Sequence, residues 1–304
     1  MDNGSRTLFI FNPVANKGRA ARKEQWLKVL LSGRTDSVLI TTTHAGHAGD
    51  IARSKAAEYC SIIACGGDGT LHEVANAVAG KDVRIGVLPI GSANDFIKTL
   101  YFNKSLPVGV EHFFSGGSVS VDLGSVSFGN GKRRSFINSL GIGFTGRIAK
   151  RVKQIHWWKG ELVYVYAVLM VLFGYKPIKM RISIVLENSL LELYEPVFAF
   201  SVMNGKIEGG KFELAPSADV SDGLLDVCIL KAIPKYAIFG YLLKYLHGTH
   251  VHDSKVLCCK AKAVEAMLEG SDVMHLDGEV IDDVSGRIAI SVVPGGVAVL
   301  QSIM

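Results

Sequence analysis

No stretch of the 304-residue sequence is apolar for long enough to cross a membrane as a helix. The longest apolar run, LVYVYAVLMVLF from Leu162 to Phe173, is well short of the roughly 20 residues that such a helix requires. We expect this run to form a helix that is buried or that faces lipid. If the protein meets a membrane, we therefore expect contact at the surface only.

Cysteine is scarce and has no recognisable spacing. The five cysteines form no CxxC pair and no disulfide framework, which favours a reduced cytoplasmic setting. The first residues, MDNGSRTLFIFNP, have one basic residue and no apolar segment of useful length, so they do not predict a signal peptide. We expect a cytoplasmic protein that works peripherally at the inner face of the membrane.

The charge imbalance is small, with a formal net charge of +5 and a pI near 8.8. A modest basic excess favours acidic partners such as phosphates, nucleotides or anionic lipid headgroups, and we expect no nucleic-acid partner. Residues 147–159 combine several lysines and arginines with Trp157 and Trp158. This mixture is suited to a headgroup surface or, equally, to a solvated helix face.

The chain length predicts two domains, and the two parts of the sequence have different patterns of strand-like and helix-like runs. The first 100 residues alternate strand-like and helix-like runs, which is typical of βα units that build a parallel sheet. Beyond about Val119 the pattern predicts a mainly antiparallel β-sandwich. The predicted parallel strands are Leu8–Phe11, Val38–Thr42, Ile62–Cys65 and Ile85–Ile90, and one of the later strands is Arg134–Leu140.

Two glycine-containing turns follow neighbouring parallel strands. The first, Gly66–Glu73, reads GGDGTLHE, and the capping-box spacing of Thr70 and Glu73 predicts a helix N-terminus there. The second is Pro89–Asp95, where we expect Ser92 to be the N-cap residue. Glycine lets backbone amides approach an anion, and a helix N-terminus favours negative charge. Both turns together therefore predict one phosphate-binding crevice.

Other motifs are absent or weak. The Walker A pattern GxxxxGK[ST] does not occur, which excludes an ordinary P-loop ATPase. A GxGxxG match at residues 141–146, with Glu161 downstream, lies where antiparallel strands are expected, so a nicotinamide site is not favoured. His247, His250 and His252 have no flanking cysteines and no HExxH arrangement, so zinc is not favoured and whether they bind anything is left open.

Several motifs in one order resemble the GGDGT lipid kinases, meaning the soluble bacterial diacylglycerol kinases and the related ceramide and sphingosine kinases. The matching segments are GGDGTLHEV, LPIGSANDF, GGKFELAPSADVSDGLLDV and LDGE. The resemblance implies an N-terminal nucleotide domain similar to NAD kinases and phosphofructokinases, followed by a β-sandwich. We expect an ATP-binding domain over residues 1–122, with residues 297–304 returning to it, and a lipid-substrate domain over residues 123–296.

The resemblance also implies roles for individual residues. Asp68, Asp95 and Asp122 would surround the catalytic magnesium, and Asp68 also counts as catalytic. Glu279, which follows a hairpin-type Asp277–Gly278 turn, would be the general base. A second, structural magnesium is expected at Asp219, Asp222 and Leu224. The implied ATP-binding residues are Thr42, Gly66, Gly67, Asp68, Gly69, Thr70, Leu71, His72, Glu73, Ser92, Asn94 and Asp95.

The sequence thus predicts an ATP- and Mg²⁺-dependent kinase that phosphorylates a hydroxyl of diacylglycerol or a related lipid at a membrane surface. One alternative is a kinase of the same fold that acts on a soluble acceptor such as NAD. Another is a nucleotide- or lipid-binding protein without catalysis. The sequence leaves open which lipid is the acceptor and whether the protein forms a homodimer.

Overall fold

The computed structural model describes residues 6–102, 104–105, 109–155 and 161–301. Part of the predicted basic and aromatic segment, residues 156–160, lies outside the described residues, as do residues 302–304. The chain divides into two units. The first comprises residues 1–121 and 295–304, and the second comprises residues 122–294.

A parallel sheet is the framework of the first unit. Its strands follow the spatial order β2-β1-β3-β4, and the last strand of the chain adds to it through a parallel pairing of Ala298 with Arg84. β1 and β3 are buried along their whole length, which explains why their sequences are continuously apolar. The strands are β1 (Thr7–Phe11), β2 (Ser37–Thr41), β3 (Ser61–Gly66) and β4 (Arg84–Pro89).

Helices follow the strands of this unit, as the alternating pattern predicts. The helix expected from Arg19 begins as a 3-10 turn, Arg19–Lys23, and becomes α-helical only at Glu24. A further 3-10 turn spans Ala56–Glu58. The α-helices are α1 (Glu24–Leu31), α2 (His47–Lys55), α3 (Asp68–Val78), α4 (Asp95–Leu100) and α5 (His112–Ser115).

The second unit is mainly antiparallel, so the predicted combination of a parallel α/β unit with a β-sandwich-like unit is confirmed. Its core contains the inward-facing apolar side chains of most of these strands. Residues 117–121 of β5 and 295–301 of β15 belong to the first unit. The strands are β5 (Gly117–Phe128), β6 (Arg133–Phe136), β7 (Ser139–Gly143), β8 (Ile178–Val185), β9 (Leu190–Met203), β10 (Ile207–Glu208), β11 (Phe212–Glu213), β12 (Leu225–Lys231), β13 (Val256–Ala261), β14 (Ala263–Leu276) and β15 (Glu279–Gln301).

The prediction of one continuous strand over Arg134–Leu140 is wrong, because the structure has two strands there, β6 and β7. The division falls at Ile137 and Asn138. The backbone amides of these two residues donate to the carboxylate of Asp277 at 2.9 and 2.8 Å instead of to a neighbouring strand.

Helices also accompany the second unit. The apolar run from Leu162 to Phe173 lies in a helix, and this helix has both a buried and an exposed face. Ala167, Val168 and Leu172 are buried, whereas Phe173 is 92% exposed. In the described parts of the chain, no helix is long and apolar enough to cross a membrane. The helices are α6 (Phe144–Gln154), α7 (Glu161–Gly174) and α8 (Ile238–Leu246), with 3-10 turns at Lys235–Ala237 and Thr249–His252.

Candidate active site

The two glycine turns of the first unit are in direct backbone contact. The carbonyl of Gly66 accepts hydrogen bonds from the amides of Ile90 and Gly91 at 2.8 and 3.0 Å. A Cβ atom on Gly91 would lie 2.3 Å from the Cα of Gly67, which is too close for two carbon atoms that are not bonded to each other. Glycine at this position avoids the clash. The structure therefore brings together the two turns that the sequence predicts to form one crevice.

The carboxylate of Asp68 joins the first turn to the helix after the second turn. It accepts hydrogen bonds from the amides of Asn94 and Asp95 at 2.8 and 2.7 Å. Asp68 therefore caps α4, because a negative charge at a helix N-terminus is stabilised by the helix dipole. The prediction of Ser92 as the N-cap residue is wrong: its hydroxyl donates to Oδ1 of Asn16 at 3.0 Å.

Glu73 caps a neighbouring helix. Its carboxylate accepts hydrogen bonds from the amides of Gly46, Ala48 and Gly49 at 2.9, 3.1 and 3.3 Å, at the N-terminus of α2. The predicted capping box of Thr70 and Glu73 is therefore wrong, because α3 begins at Asp68 and its N-cap residue is Gly67. Any contact of Glu73 with nucleotide remains a prediction.

Some of the other predicted ATP-binding residues are buried. Thr70 and Leu71 are 3% and 1% exposed, and the amide of Leu71 donates to the carbonyl of Gly67 within the first turn of α3. Thr42 is 7% exposed and follows β2, where its amide donates to the carbonyl of Phe11 at 2.8 Å. Since the first amides of a helix have no carbonyl four residues earlier within it, the start of α3 has the chemistry of an anion site.

Asn12 and Asn16 also belong to this site, although no sequence motif predicted them there. The side-chain amide of Asn12 donates to Oγ1 of Thr70 at 2.9 Å, and Asn16 accepts the hydrogen bond from Ser92. The loop after β1 therefore contacts both glycine turns. Asparagine and glycine after a strand do indicate a turn, and Asn16 indeed has a positive φ of 52°. They do not indicate which residues the turn contacts.

In the second unit, Glu279 follows a two-residue turn, as predicted. Asp277 and Gly278 have φ values of 50° and 82°, and Leu276 pairs with Glu279 across the hairpin. The side chain of Glu279 is 45% exposed, and its Oε2 lies 2.8 Å from Nζ of Lys153 on α6. Glu279 is therefore half-exposed at the end of this turn, and its role as general base remains a prediction.

Asp277 anchors that turn. Its Oδ1 accepts hydrogen bonds from the amides of Asn138 and Ser139 at 2.8 and 2.9 Å, and its Oδ2 accepts one from Ile137 at 2.9 Å. The residue is only 8% exposed. Charge-assisted hydrogen bonds of this kind are stronger than neutral ones, so the position of Glu279 rests on a buried carboxylate two residues earlier.

His275, which no sequence motif predicted as a site residue, forms an ion pair with Glu208 of β10. Burial alone would lower the pKa of His275, but Glu208, whose Oε1 lies 3.3 Å from Nε2, outweighs burial and raises it above the usual 6.5. Asp277 adds to this rise, whereas Lys153 opposes it. Burial would raise the pKa of Glu208, yet the histidine lowers it overall. Each partner thus favours the charged form of the other.

Asp122, predicted at the catalytic magnesium, belongs to the second unit. It is 2% exposed, and its Oδ2 accepts a hydrogen bond from the amide of Gly223 at 2.7 Å. Its own amide donates to the carbonyl of Val220. Asp122 therefore holds the loop that contains the predicted structural magnesium site.

Within that loop, side chains already pair with one another. Asp219 accepts hydrogen bonds from the amide and hydroxyl of Ser221, and Asp222 accepts one from the amide of Leu224 at 3.0 Å. The ammonium of Lys260 lies 2.5 Å from Asp222. A positive charge is therefore already present beside this carboxylate, and the magnesium assignment of Asp219, Asp222 and Leu224 remains a prediction.

The GxGxxG glycines have a packing role. A Cβ atom on Gly141 would lie 2.4 Å from Nε2 of His275, and one on Gly146 would lie 2.1 Å from the carbonyl oxygen of Val273. Gly141 and Gly143 lie in β7, which pairs antiparallel with both of its neighbours. Gly146 therefore lets α6 approach β14 closely, and Gly141 leaves room for the ring of His275.

Two family models match consecutive parts of the chain. The model described as diacylglycerol kinase catalytic domain matches residues 6–126. The model described as YegS C-terminal NAD kinase beta sandwich-like domain matches residues 138–301, more than half of the chain. The chain belongs to the diacylglycerol kinase-like family of lipid kinases. The lipid kinase is a transferase that takes a phosphoryl group from a nucleotide, and the predictions of its family and enzyme class are confirmed.

Known proteins resemble this lipid kinase over nearly its full length. A diacylglycerol kinase of Bacillus subtilis (strain 168) is 29% identical over 282 residues, which cover 90% of this chain and 89% of the relative. A solved diacylglycerol kinase structure from Bacillus anthracis str. Sterne has a TM-score of 0.72 at 21% identity, covering 98% and 97% of the two chains. An NAD kinase from Archaeoglobus fulgidus, solved in complex with ATP, has a TM-score of 0.53 at 11% identity, covering 97% and 94%. The two structures show a shared fold.

Proposed function

We propose that this lipid kinase transfers the γ-phosphoryl group of Mg-ATP to a hydroxyl of diacylglycerol or a related lipid, with Glu279 as general base. The observation that carries the proposal is the contact between the two glycine turns, which Asp68 holds together at the N-terminus of α3. Phosphoryl transfer depends on positioning and on neutralising charge, and this arrangement supplies a rigid set of backbone amides for the phosphates.

The fit to ATP rests on backbone rather than on basic side chains. Gly67 and Gly91 touch backbone to backbone, and a Cβ atom on Gly91 would force the two glycine turns apart. We expect the first amides of α3, at Gly69 and Thr70, to bind the phosphates, because the first amides of a helix have no partner within it. The likeness in fold to an NAD kinase solved in complex with ATP supports the choice of nucleotide.

The predicted magnesium ligands have suitable chemistry, since carboxylate oxygens are what Mg²⁺ prefers. The carboxylate of Asp68 lies 2.7 Å from the backbone nitrogen of Asp95, so the glycine turns present two acidic residues side by side. In the proposal, Asp68 and Asp95 supply the carboxylates of the first unit that bind the ion. Magnesium would neutralise charge on the transferring phosphoryl group.

As general base, Glu279 would accept the proton of the lipid hydroxyl. Its half-exposed carboxylate lies at the end of a tight hairpin and is accessible to an incoming substrate. Lys153 orients the carboxylate through a surface ion pair, which contributes little to stability. Asp277 fixes the backbone from which Glu279 projects.

Exposed apolar side chains on two helices support contact with a membrane surface. On α7, Val165, Leu169 and Phe173 follow one another at four-residue intervals and are 56%, 47% and 92% exposed. Two residues of α8, Phe239 and Leu243, are 46% and 61% exposed, and both helices pack against the same hydrophobic cluster. Such a grouping is typical of a helix face that inserts shallowly into lipid.

The kinase proposal is tested by incubating the protein with labelled ATP, magnesium and fractionated lipids. We expect label in a lipid fraction, and the Glu279→Gln variant should lose turnover while it still binds ATP. Asp282→Asn, which changes an exposed carboxylate of the same hairpin, should stay active. Retained activity in Glu279→Gln would remove this residue from the role of base.

The same experiment separates the alternatives. The shared fold with an NAD kinase is the observation that favours a soluble acceptor, so NAD is offered in a parallel reaction. Label in NAD and in no lipid would contradict the lipid kinase proposal. Binding of ATP without transfer to any acceptor would instead indicate a nucleotide-binding protein without catalysis.

The membrane proposal is tested by sedimentation with vesicles that contain anionic lipid. Phe173→Ser and Leu243→Ser should each weaken binding, because each removes an exposed apolar side chain from the helix face. Leu190→Ser is the matched control, since Leu190 is 60% exposed at the start of β9. Equal binding by all three variants would contradict surface insertion through α7 and α8. Cytoplasmic location and a homodimer remain proposals, which fractionation and light scattering test.

A further inference from the structure

Three residues with metal-binding side chains meet in the second unit, where strands β9 and β7 separate β12 and β13 from the Glu279 hairpin of β14 and β15. Cys228 on β12 and Cys258 on β13 lie directly opposite one another in an antiparallel pair, and their sulfur atoms are 3.9 Å apart. His250, in the 3-10 turn that precedes β13, places a ring nitrogen within 4.8 Å of both sulfurs. His247 and His252 are exposed and are not part of this group.

The histidine has an unsatisfied nitrogen. His250 is fully buried, and its Nε2 lies 3.0 Å from the carbonyl oxygen of Leu214. A carbonyl only accepts, so Nε2 carries the proton and Nδ1 carries a lone pair. Nδ1 has no hydrogen-bond partner among the residues that the structure describes. A buried polar atom without a partner is costly, and a second nitrogen bonded to a carbonyl is the usual arrangement of a metal-binding histidine.

The spacing of the two sulfurs suits a shared ion better than a disulfide. Two thiolates bound to a tetrahedral Zn²⁺, each at about 2.3 Å, would be separated by about 3.8 Å. The observed separation is 3.9 Å. A disulfide requires about 2.05 Å, so the two sulfurs as they are placed are not bonded to each other.

We propose that Cys228, His250 and Cys258 form a binding site for a thiophilic metal ion, with Zn²⁺ as the ion that best fits two thiolates and one imidazole. Cys228 and His250 are buried, whereas Cys258 is exposed, which gives the ion a path from solvent and lets a water molecule complete the tetrahedron. Both thiols release their protons when the ion binds. The ion fastens β12, β13 and the preceding 3-10 turn together, which is a structural role independent of phosphoryl transfer.

The test measures metal binding rather than activity. The full chain is purified under reducing conditions without chelator, and its zinc content is measured by mass spectrometry. The chelator-treated protein is then titrated with Co²⁺, which gives a thiolate-to-cobalt charge-transfer band when cysteines bind it. We expect one ion per chain and a melting temperature that falls on chelation.

Neighbouring cysteines provide a matched pair of variants. Cys258→Ser removes a ligand at an exposed position, whereas Cys259→Ser removes a thiol that packs against the core on the other face of β13. We expect Cys258→Ser to lose the cobalt band and to bind zinc at least about 100-fold more weakly, while Cys259→Ser binds normally. His250→Gln should also lose the band.

Three results would overturn the proposal. The first is wild-type protein that binds neither zinc nor cobalt. The second is a cobalt band that is the same in Cys258→Ser as in the wild type. The third is a Cys228–Cys258 disulfide, which peptide mapping of protein purified without reductant would detect. It would overturn the proposal if it resisted added reductant and prevented metal binding.

Discussion

Replacing Asp277 by asparagine tests whether one buried carboxylate holds the hairpin of Glu279. Asparagine has nearly the same shape and tolerates the positive φ of 50° at this position, so the substitution changes charge and hydrogen bonding without changing the backbone requirement. The amide group has one acceptor oxygen in place of two. If that oxygen takes the place of Oδ1, the amides of Asn138 and Ser139 keep weaker bonds, and the amide of Ile137 faces a donor.

The expected cost follows from these bonds. Loss of charge assistance in two hydrogen bonds costs roughly 1 kcal/mol each, and a buried donor without an acceptor costs roughly 1–3 kcal/mol. The free energy of unfolding of the second unit should therefore fall by about 3–5 kcal/mol. For a unit of this size, the melting temperature should fall by roughly 10 °C.

Asp282→Asn is the control, because Asp282 lies in the same hairpin and pairs with Lys150 at the surface, where it is 51% exposed. A surface pair of this kind contributes less than about 1 kcal/mol. Thermal denaturation compares the two variants, and hydrogen exchange at residues 137–139 locates the loss. Equal melting temperatures with unchanged exchange at these amides would refute the role assigned to Asp277.

Three further predictions concern other contacts. The ion pair with Glu208 raises the pKa of His275 above 6.5, so the stabilisation from this pair is fully present below about pH 6.5 and is lost as the pH rises through the folded-state pKa. The His275→Gln variant should therefore lower the melting temperature more at about pH 6 than at about pH 9. An equal effect at both pH values would contradict this. The Lys260→Met variant removes the ammonium from the predicted structural magnesium site, so it should bind Mg²⁺ there about 1 kcal/mol, or roughly fivefold, more tightly. Calorimetry measures this affinity. An unchanged affinity would argue against a site in this loop. The Gly91→Ala variant should lose about 1–3 kcal/mol of stability and most of its kinase activity. The control, Gly33→Ala, should resemble the wild type, because no atom lies within 4 Å of the added Cβ. An active and stable Gly91→Ala variant would show that the two turns need not touch.

The parallel sheet of the first unit could be predicted because its signal is local. β1 and β3 are short apolar runs that are buried on both faces, and each ends at a turn rich in glycine or asparagine. The Asp277–Gly278 hairpin was predictable for the same reason, since two residues that accept positive φ specify the turn.

The partners of the acidic side chains were not predictable in the same way. Glu73 was expected to cap its own helix, but it caps α2, 25 residues earlier at Ala48. Ser92 was expected to cap α4, but the cap is Asp68, which binds the amide of Asp95 and precedes it by 27 residues in the sequence. A capping motif shows that a helix begins, yet a carboxylate brought close by the fold is a stronger acceptor than a local hydroxyl.

By itself, the sequence determined the order of the two glycine turns, the acidic residues within them and the tight turn before Glu279, because each depends on residues next to one another in the chain. Only the tertiary structure decided that Asp277 would anchor the break between β6 and β7, and that Cys228, His250 and Cys258 would meet. These contacts depend on strand register, which sets which side chains lie opposite one another and which no local pattern of residues encodes.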